Sequence, residues 1–335
     1  MKKRCIFVEN DLKMKTKKEK FSWSDRGGCI TCVGETFETL EPGYYNFYQS
    51  PSIGLYFVKA RVETNKLFPL PNESTDVILN DIQKFWTLEK TYKKYGRVYR
   101  RNYLIYSAPG TGKTSLIKLM CKELIEKYNG IVLTISNMDN LQLYPDALRA
   151  IRDVEPDRKI ITIIEDLDAF TDEDNTYGNP VNSLLLNILD GAQTLSNVVT
   201  IATTNYIEKI AGRYKNRPSR FDLVMEFPLP NSESRKMFIE KSVLPQDIKK
   251  INLDEWVKKT EGFSIDHINE LILLYFVFGH TEEESFARVK KMAENNDTLV
   301  NETSTKKKVI GFKNMQSVCQ DTPIAIGEHL EASNY

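Results

Sequence analysis

From Asn102 to Thr203 the chain alternates short apolar runs with longer stretches whose apolar positions recur every three or four residues. The runs are NYLIYS (102–107), IVLTIS (131–136), IITIIE (160–165) and NVVTIAT (197–203). Between them lie KTSLIKLMCKELIEKY (113–128), PDALRAIRDV (145–154) and PVNSLLLNILDG (180–191). A short aliphatic run fits a strand buried on both faces, and the three-to-four spacing fits an amphipathic helix. The alternation predicts an α/β fold, a doubly wound parallel sheet covered by helices on both sides. Asn129-Gly130 supplies a stop for the first helix, since both residues accept left-handed backbone.

The pattern differs on either side of this block. From Phe21 to about Leu70, TFETL alternates, EPG turns, and YYNFY and GLYFVKARV are rich in aromatic and β-branched residues. These read as strands and turns. FPLPNES then breaks the pattern, and a helix is expected over about Thr75–Tyr95, with Val77, Ile78, Ile82 and Phe85 on one face. After EFPLPN everything is helical, and Thr281 with Glu284 has the form of a capping box. The expected organisation is a basic arm (1–20), a β-rich domain (21–72), an α/β domain (73–231), a small helical domain (232–296) and a polar tail (297–335).

Composition narrows the function classes. Of 335 residues, 41% are hydrophobic and 27% charged, and Lys+Arg and Asp+Glu are equal at 46 each. A balanced charge offers no global field for nucleic acid or an anionic membrane. The local exception is the arm, MKKR with KMKTKKEK, which reads as a solvated terminus or a binding element. The longest apolar run, LILLYFVF (271–278), is far short of the roughly twenty residues of a membrane span, and the N-terminus lacks the apolar core of a secretory signal. Five cysteines at irregular spacing suit a reducing compartment, and a cytoplasmic location is expected. Cys29 and Cys32 form a lone CxxC without the second pair of a zinc site.

The candidate chemistry begins at SAPGTGKT (107–114), which follows a strand and opens a helix. In such a setting Gly110 and Gly112 let the backbone turn its N–H groups inward on phosphate oxygens, and the helix dipole favours the same anion. Residues Ala108, Pro109, Gly110, Thr111, Gly112, Lys113, Thr114 and Ser115 are the expected nucleotide cradle of a P-loop NTPase. Lys113 reaches the β- and γ-phosphates, and the Thr114 hydroxyl is a magnesium ligand. Ser107 stands where this pattern has its outer glycine. The third strand ends at Glu165 and Asp166, with Asp168 after them, on the sheet edge where ligands of such folds bind.

SAPGTGKT, IIEDLDAF, ATTN and NRPSRFDLVMEFPLPN, in this order and spacing, resemble the module of AAA ATPases over roughly residues 76–295. The likeness is most specific toward the BCS-type branch, whose members include the mitochondrial chaperone that translocates the Rieske iron–sulfur protein. It rests there on YKKYGRVYRRNYLIYSAPGTGKTSL, NSLLLNILDG and the Glu-Asp order of IIEDLDA. The resemblance implies ATP and Mg²⁺ as cofactors and a homo-oligomeric ring, hexameric or heptameric. By the same resemblance Glu165 would hold magnesium through water and Asp166 would polarise the attacking water. Asn205 would contact the γ-phosphate, or else it ties off a strand end. Arg217 and Arg220 would be fingers for a neighbouring subunit, or else are held by a local carboxylate such as Asp222. Asn102 and Ser219 stand where the family commonly has glycine, and TEGFSIDHI (260–268) keeps the first half of the lid segment.

The family's pore segment falls in SNMDNLQLYPD (136–146), where Tyr144 either grips a threaded chain or packs beneath the loop. Tyr44, Tyr45, Phe47 and Tyr48 are either a client surface or a small core. The expected function is an ATP-driven machine that remodels or translocates a protein client, chosen by the β-rich domain. A loader-like ATPase that uses the basic arm on nucleic acid, and a slowly hydrolysing assembly protein, are the alternatives.

Overall fold

The two-sided burial demanded by the apolar runs is met by a seven-stranded sheet. A computed structural model describes residues 22–26, 29–33, 36–64, 67–71, 73–170, 180–190, 196–210 and 220–305. The basic arm, Arg217, Ser219 and residues 306–335 of the expected tail lie outside them. Among the described residues no helix is long and apolar enough to cross a membrane. The chain divides into two units, Met1–Pro228 and Leu229–Tyr335.

The first unit begins with an antiparallel pair of its own, β1 (Ser22–Arg26) and β2 (Cys29–Val33). Then come β3 (Gly43–Ser50), β4 (Gly54–Ala60), α1 (Glu73–Phe85), α2 (Glu89–Lys94), β5 (Arg100–Tyr106) and α3 (Lys113–Tyr128). They are followed by β6 (Ile131–Ile135), α4 (Met138–Val154), β7 (Ile160–Ile164), α5 (Pro180–Asp190), β8 (Val198–Thr204) and β9 (Leu223–Glu226). The sheet runs β4-β3-β6-β7-β8-β5-β9. Within this sheet, among the described residues, only the β3–β4 pair is antiparallel.

Strand alternation sends neighbouring side chains to opposite layers. On β6, Ile131, Leu133 and Ile135 pack with α4 and α5, while Val132 packs with α1 and α3. On β8, Val198 and Ala202 take the first side and Val199 and Ile201 the second. Helix α3 closes its layer with Ile117, Met120, Cys121 and Leu124, the three larger of them each worth about 2 kcal/mol if fully buried. Asn129 ends α3 with a φ of 56°, the left-handed turn its sequence predicts.

Three expectations are corrected here. Residues 43–60 do not form a separate β-domain: β3 pairs with β6 in parallel, Tyr44 opposite Val132, and the hairpin extends the central sheet. The physical reason is burial, because Tyr45 and Phe47 enter the α4-side core and Tyr44 packs on the other face. The single helix expected over 75–95 is broken after Phe85, where Thr87 N–H and Oγ1 both donate to the Lys84 carbonyl. Helix α4 starts at Met138 rather than at Pro145, because Asn137 Oδ1 accepts from Asn140 N–H at 2.8 Å and caps it.

The second unit holds α6 (Ser232–Ser242), α7 (Leu253–Lys259), α8 (Ile265–Ile272) and α9 (Glu282–Thr305) around fully buried Trp256. Tyr275, Phe276 and Phe286 surround that indole. The TEGFS signature is a junction between helices. Thr260 Oγ1 donates to Trp256 O at 2.8 Å, Gly262 takes a φ of 80°, and Ser264 caps α8 against His267. After Ile272 the helix widens into a π turn over Leu273–Val277. The Thr281–Glu284 capping box is present, and α9 runs to Thr305, past the expected boundary at Asn296.

Candidate functional site

Parallel register decides what meets at the sheet edge. Tyr106 lies opposite Thr204 and Ile164 opposite Ala202, so Ser107, the Glu165–Asp166 pair and Asn205 leave the sheet side by side. The loop 107–112 then turns back, with Gly110 at φ 75° and Gly112 at φ 99°. Those values lie in the region where a side chain is costly. Gly112 is the N-cap of α3, so the free N–H groups of a long helix open on this loop. Ala108, Pro109 and Thr114 are exposed, Gly110, Gly112, Lys113 and Ser115 are half-buried, and Thr111 is buried.

Lys113, the first residue of α3, folds its ammonium back to the strand ends. Its Nζ donates to Ser107 Oγ at 2.6 Å, Asn205 Oδ1 at 2.7 Å, Ser107 O at 3.2 Å and Ala108 O at 3.3 Å. Ser107 Oγ is also 2.5 Å from Thr111 Oγ1. The structure thus brings together Lys113 and Asn205, which are far apart in sequence. It also explains how Asn205 is held: Thr204 Oγ1 donates to Asp168 Oδ1 at 2.6 Å and accepts from Tyr206 N–H at 3.0 Å. Asp168, already placed at this edge by the sequence, therefore acts as a support through Thr204, a residue that the motif pattern does not single out.

Asp166 begins a 3₁₀ turn, Leu167–Phe170, with a φ of 51°, and its N–H reaches Thr203 Oγ1 at 3.4 Å. Aspartate tolerates left-handed backbone better than longer side chains do, which gives a local reason for the shorter acid at this point. Its side chain is exposed and Glu165 is half-buried. Among the described residues no three His, Cys, Asp or Glu side chains converge on a metal position. Magnesium needs no such cluster, because it keeps waters and phosphate oxygens and takes one or two protein ligands, and Thr114 and Glu165 carry oxygen donors of the kind it accepts. The cradle fits a polyphosphate: turned backbone, helix N-terminus and one lysine.

Arg220 is placed in the interior of its own subunit. It is 5% exposed, and its Nε and Nη2 each donate to an Asp190 carboxylate oxygen at 3.0 Å. The carboxylate that holds it is Asp190, at the end of α5, and not Asp222. Asp222 instead accepts from Asn102 N–H at 2.7 Å and lies 3.6 Å from Arg101, while burial raises its pKa. Asn102 has a use for its side chain: Nδ2 donates to Arg220 O at 2.7 Å and Leu189 O at 3.1 Å.

Tyr144 is also settled by its neighbours. It is 1% exposed, packs with Phe47, and its hydroxyl is 2.5 Å from Thr162 Oγ1 on the central strand β7. Of its two readings, the packed one holds.

Residues 103–229 match the family model "ATPase family associated with various cellular activities (AAA)". The chain is 33% identical over 177 residues to the 26S proteasome regulatory subunit 6A of Encephalitozoon cuniculi, covering 49% of this chain and 43% of that protein. It is 34% identical over 158 residues to the mitochondrial chaperone BCS1 of Homo sapiens, covering 44% and 36%. With the probable mitochondrial chaperone BCS1-B of Dictyostelium discoideum the identity is 28% over 228 residues, covering 58% and 47%. The chain spans less than half the length of these relatives. With its glycine-turned phosphate loop on a parallel sheet, the stretch 103–229 is an AAA-type domain.

Proposed function

We propose that this protein is a magnesium-dependent ATPase that assembles into a ring and uses hydrolysis to remodel or translocate a protein client. The observation that supports it most is the convergence of Lys113, Asn205 and the Glu165–Asp166 pair on one sheet edge beside a cradle built for phosphate. Lys113 and the N–H groups of the 108–115 loop bind the triphosphate, and Thr114 with Glu165 would hold the magnesium that draws charge off it. Asp166 takes the proton of the attacking water, and Asn205 orients that water. Since Arg220 is committed to Asp190 within its own subunit, Arg217 is the finger that completes a neighbour's site. Protein remodelling is favoured by the names of relatives such as the BCS1 chaperones and proteasome regulatory subunits. The odd cysteine count favours the cytoplasm.

The test is turnover by the purified chain. Lys113→Ala is expected to lose ATP binding. Asp166→Asn is expected to keep binding and turn over about a hundredfold more slowly, the lower end of what a positioned base contributes. Equal rates for wild type and Asp166→Asn would refute the motor reading.

A further inference from the structure

We infer that Ser107 is a positioning residue that competes with phosphate for Lys113, so that the outer serine of the loop tunes nucleotide affinity downward. The inference rests on the proposed nucleotide site. Its grounds are the contacts of one hydroxyl. Ser107 is 5% exposed, and its Oγ lies 2.6 Å from Lys113 Nζ, 2.5 Å from Thr111 Oγ1 and 3.0 Å from Ala108 O. A serine hydroxyl has one proton and two lone pairs. Lys113 donates to Oγ, and the two hydroxyl protons of Ser107 and Thr111 are shared among the Ser107–Thr111 contact and the contacts of both hydroxyls with the Ala108 carbonyl, Thr111 Oγ1 lying 3.1 Å from it. The start, middle and end of the phosphate loop are thereby tied to a single oxygen, which a glycine at this position cannot do.

The consequence follows from counting donors. An ammonium has three N–H groups, and four protein oxygens lie within 3.3 Å of Lys113 Nζ. A phosphate oxygen therefore gains Lys113 only by exchanging with one of them. The Ser107 contact is the shortest of the four, and a hydrogen bond to a charged donor is among the stronger ones. The serine hydroxyl adds a fourth and shortest acceptor to that set, so a phosphate that displaces it gives up a charge-assisted bond and part of its gain is offset.

The experiment measures affinity for a fluorescent ADP by titration in wild type, Ser107→Ala, Ser107→Gly and Ser107→Thr, with thermal melting of each. Ser107→Ala and Ser107→Gly are expected to bind about tenfold more tightly, the lower end of a charge-assisted hydrogen bond. Ser107→Thr, which keeps the hydroxyl, is expected to bind like wild type. A merely structural serine would move affinity the other way, since a disordered loop binds less well. Unchanged or weaker binding by Ser107→Ala, with wild type binding normally, overturns the competition alone. Failure of wild type to bind any nucleotide overturns the site and this inference with it.

Discussion

Arg220→Ala separates a structural arginine from a catalytic one. In the pair with Asp190 the Arg220 side chain is 6% exposed and the Asp190 side chain 31%. Breaking a fully buried ion pair costs about 3–5 kcal/mol, and an exposed one about 0–1 kcal/mol. Loss of Arg220 leaves Asp190 able to recruit water on its exposed side, so the cost should be about 2–3 kcal/mol. With a urea slope of about 2 kcal/mol per M for a unit of this size, the unfolding midpoint falls by about 1–1.5 M. Asp190→Asn should cost more, because it strands the better-buried charge, and Arg220→Lys should recover less than half, because lysine cannot match both carboxylate oxygens. The double mutant should show a coupling of about 1–3 kcal/mol. A midpoint for Arg220→Ala unchanged from wild type would refute the reasoning. So would ATPase activity lost in this variant and restored on mixing with Lys113→Ala subunits, since rescue of that kind belongs to a residue acting across an interface.

Two other outcomes follow from the hydrogen bonds of Tyr144 and Asp81. Tyr144→Phe removes the partner of buried Thr162 and should lower stability by about 1 kcal/mol in urea titration, while the ATPase rate stays at wild-type level; a lost ATPase rate at unchanged stability would refute the packed reading of Tyr144. Burial opposes the charge on Asp81, but hydrogen bonds from Arg101 and Tyr103 outweigh it and hold that carboxyl below its usual range. A depressed folded-state pKa gives stability that is present above the unfolded value near 3.8 and is lost as pH falls through the folded one. Asp81→Asn should therefore be destabilising at pH 7 and lose that penalty at the acid end of the range. A penalty independent of pH would show that the cost is packing and not the ion pair.

Most of what near neighbours govern was legible in the chain, the break at Thr87 and the Asn137 cap excepted. Strand and helix periods gave the layered α/β core, Asn129 and the Thr281–Glu284 box gave helix ends, and GTGKT gave the phosphate loop, because each is a preference of a few adjacent residues for one backbone path. The short edge strand β9 escaped that reading, since four residues half-exposed in alternation carry little pattern. The tertiary structure alone decided which distant residues share a site. Parallel register set Asn205 against Lys113 and Thr204 against Asp168, and the return of α5 delivered Asp190 to Arg220. The aromatic hairpin 43–60 joined the main sheet because its inner face found α4. Such contacts are chosen by burial and hydrogen-bond satisfaction across the whole fold, and no local pattern encodes the partner.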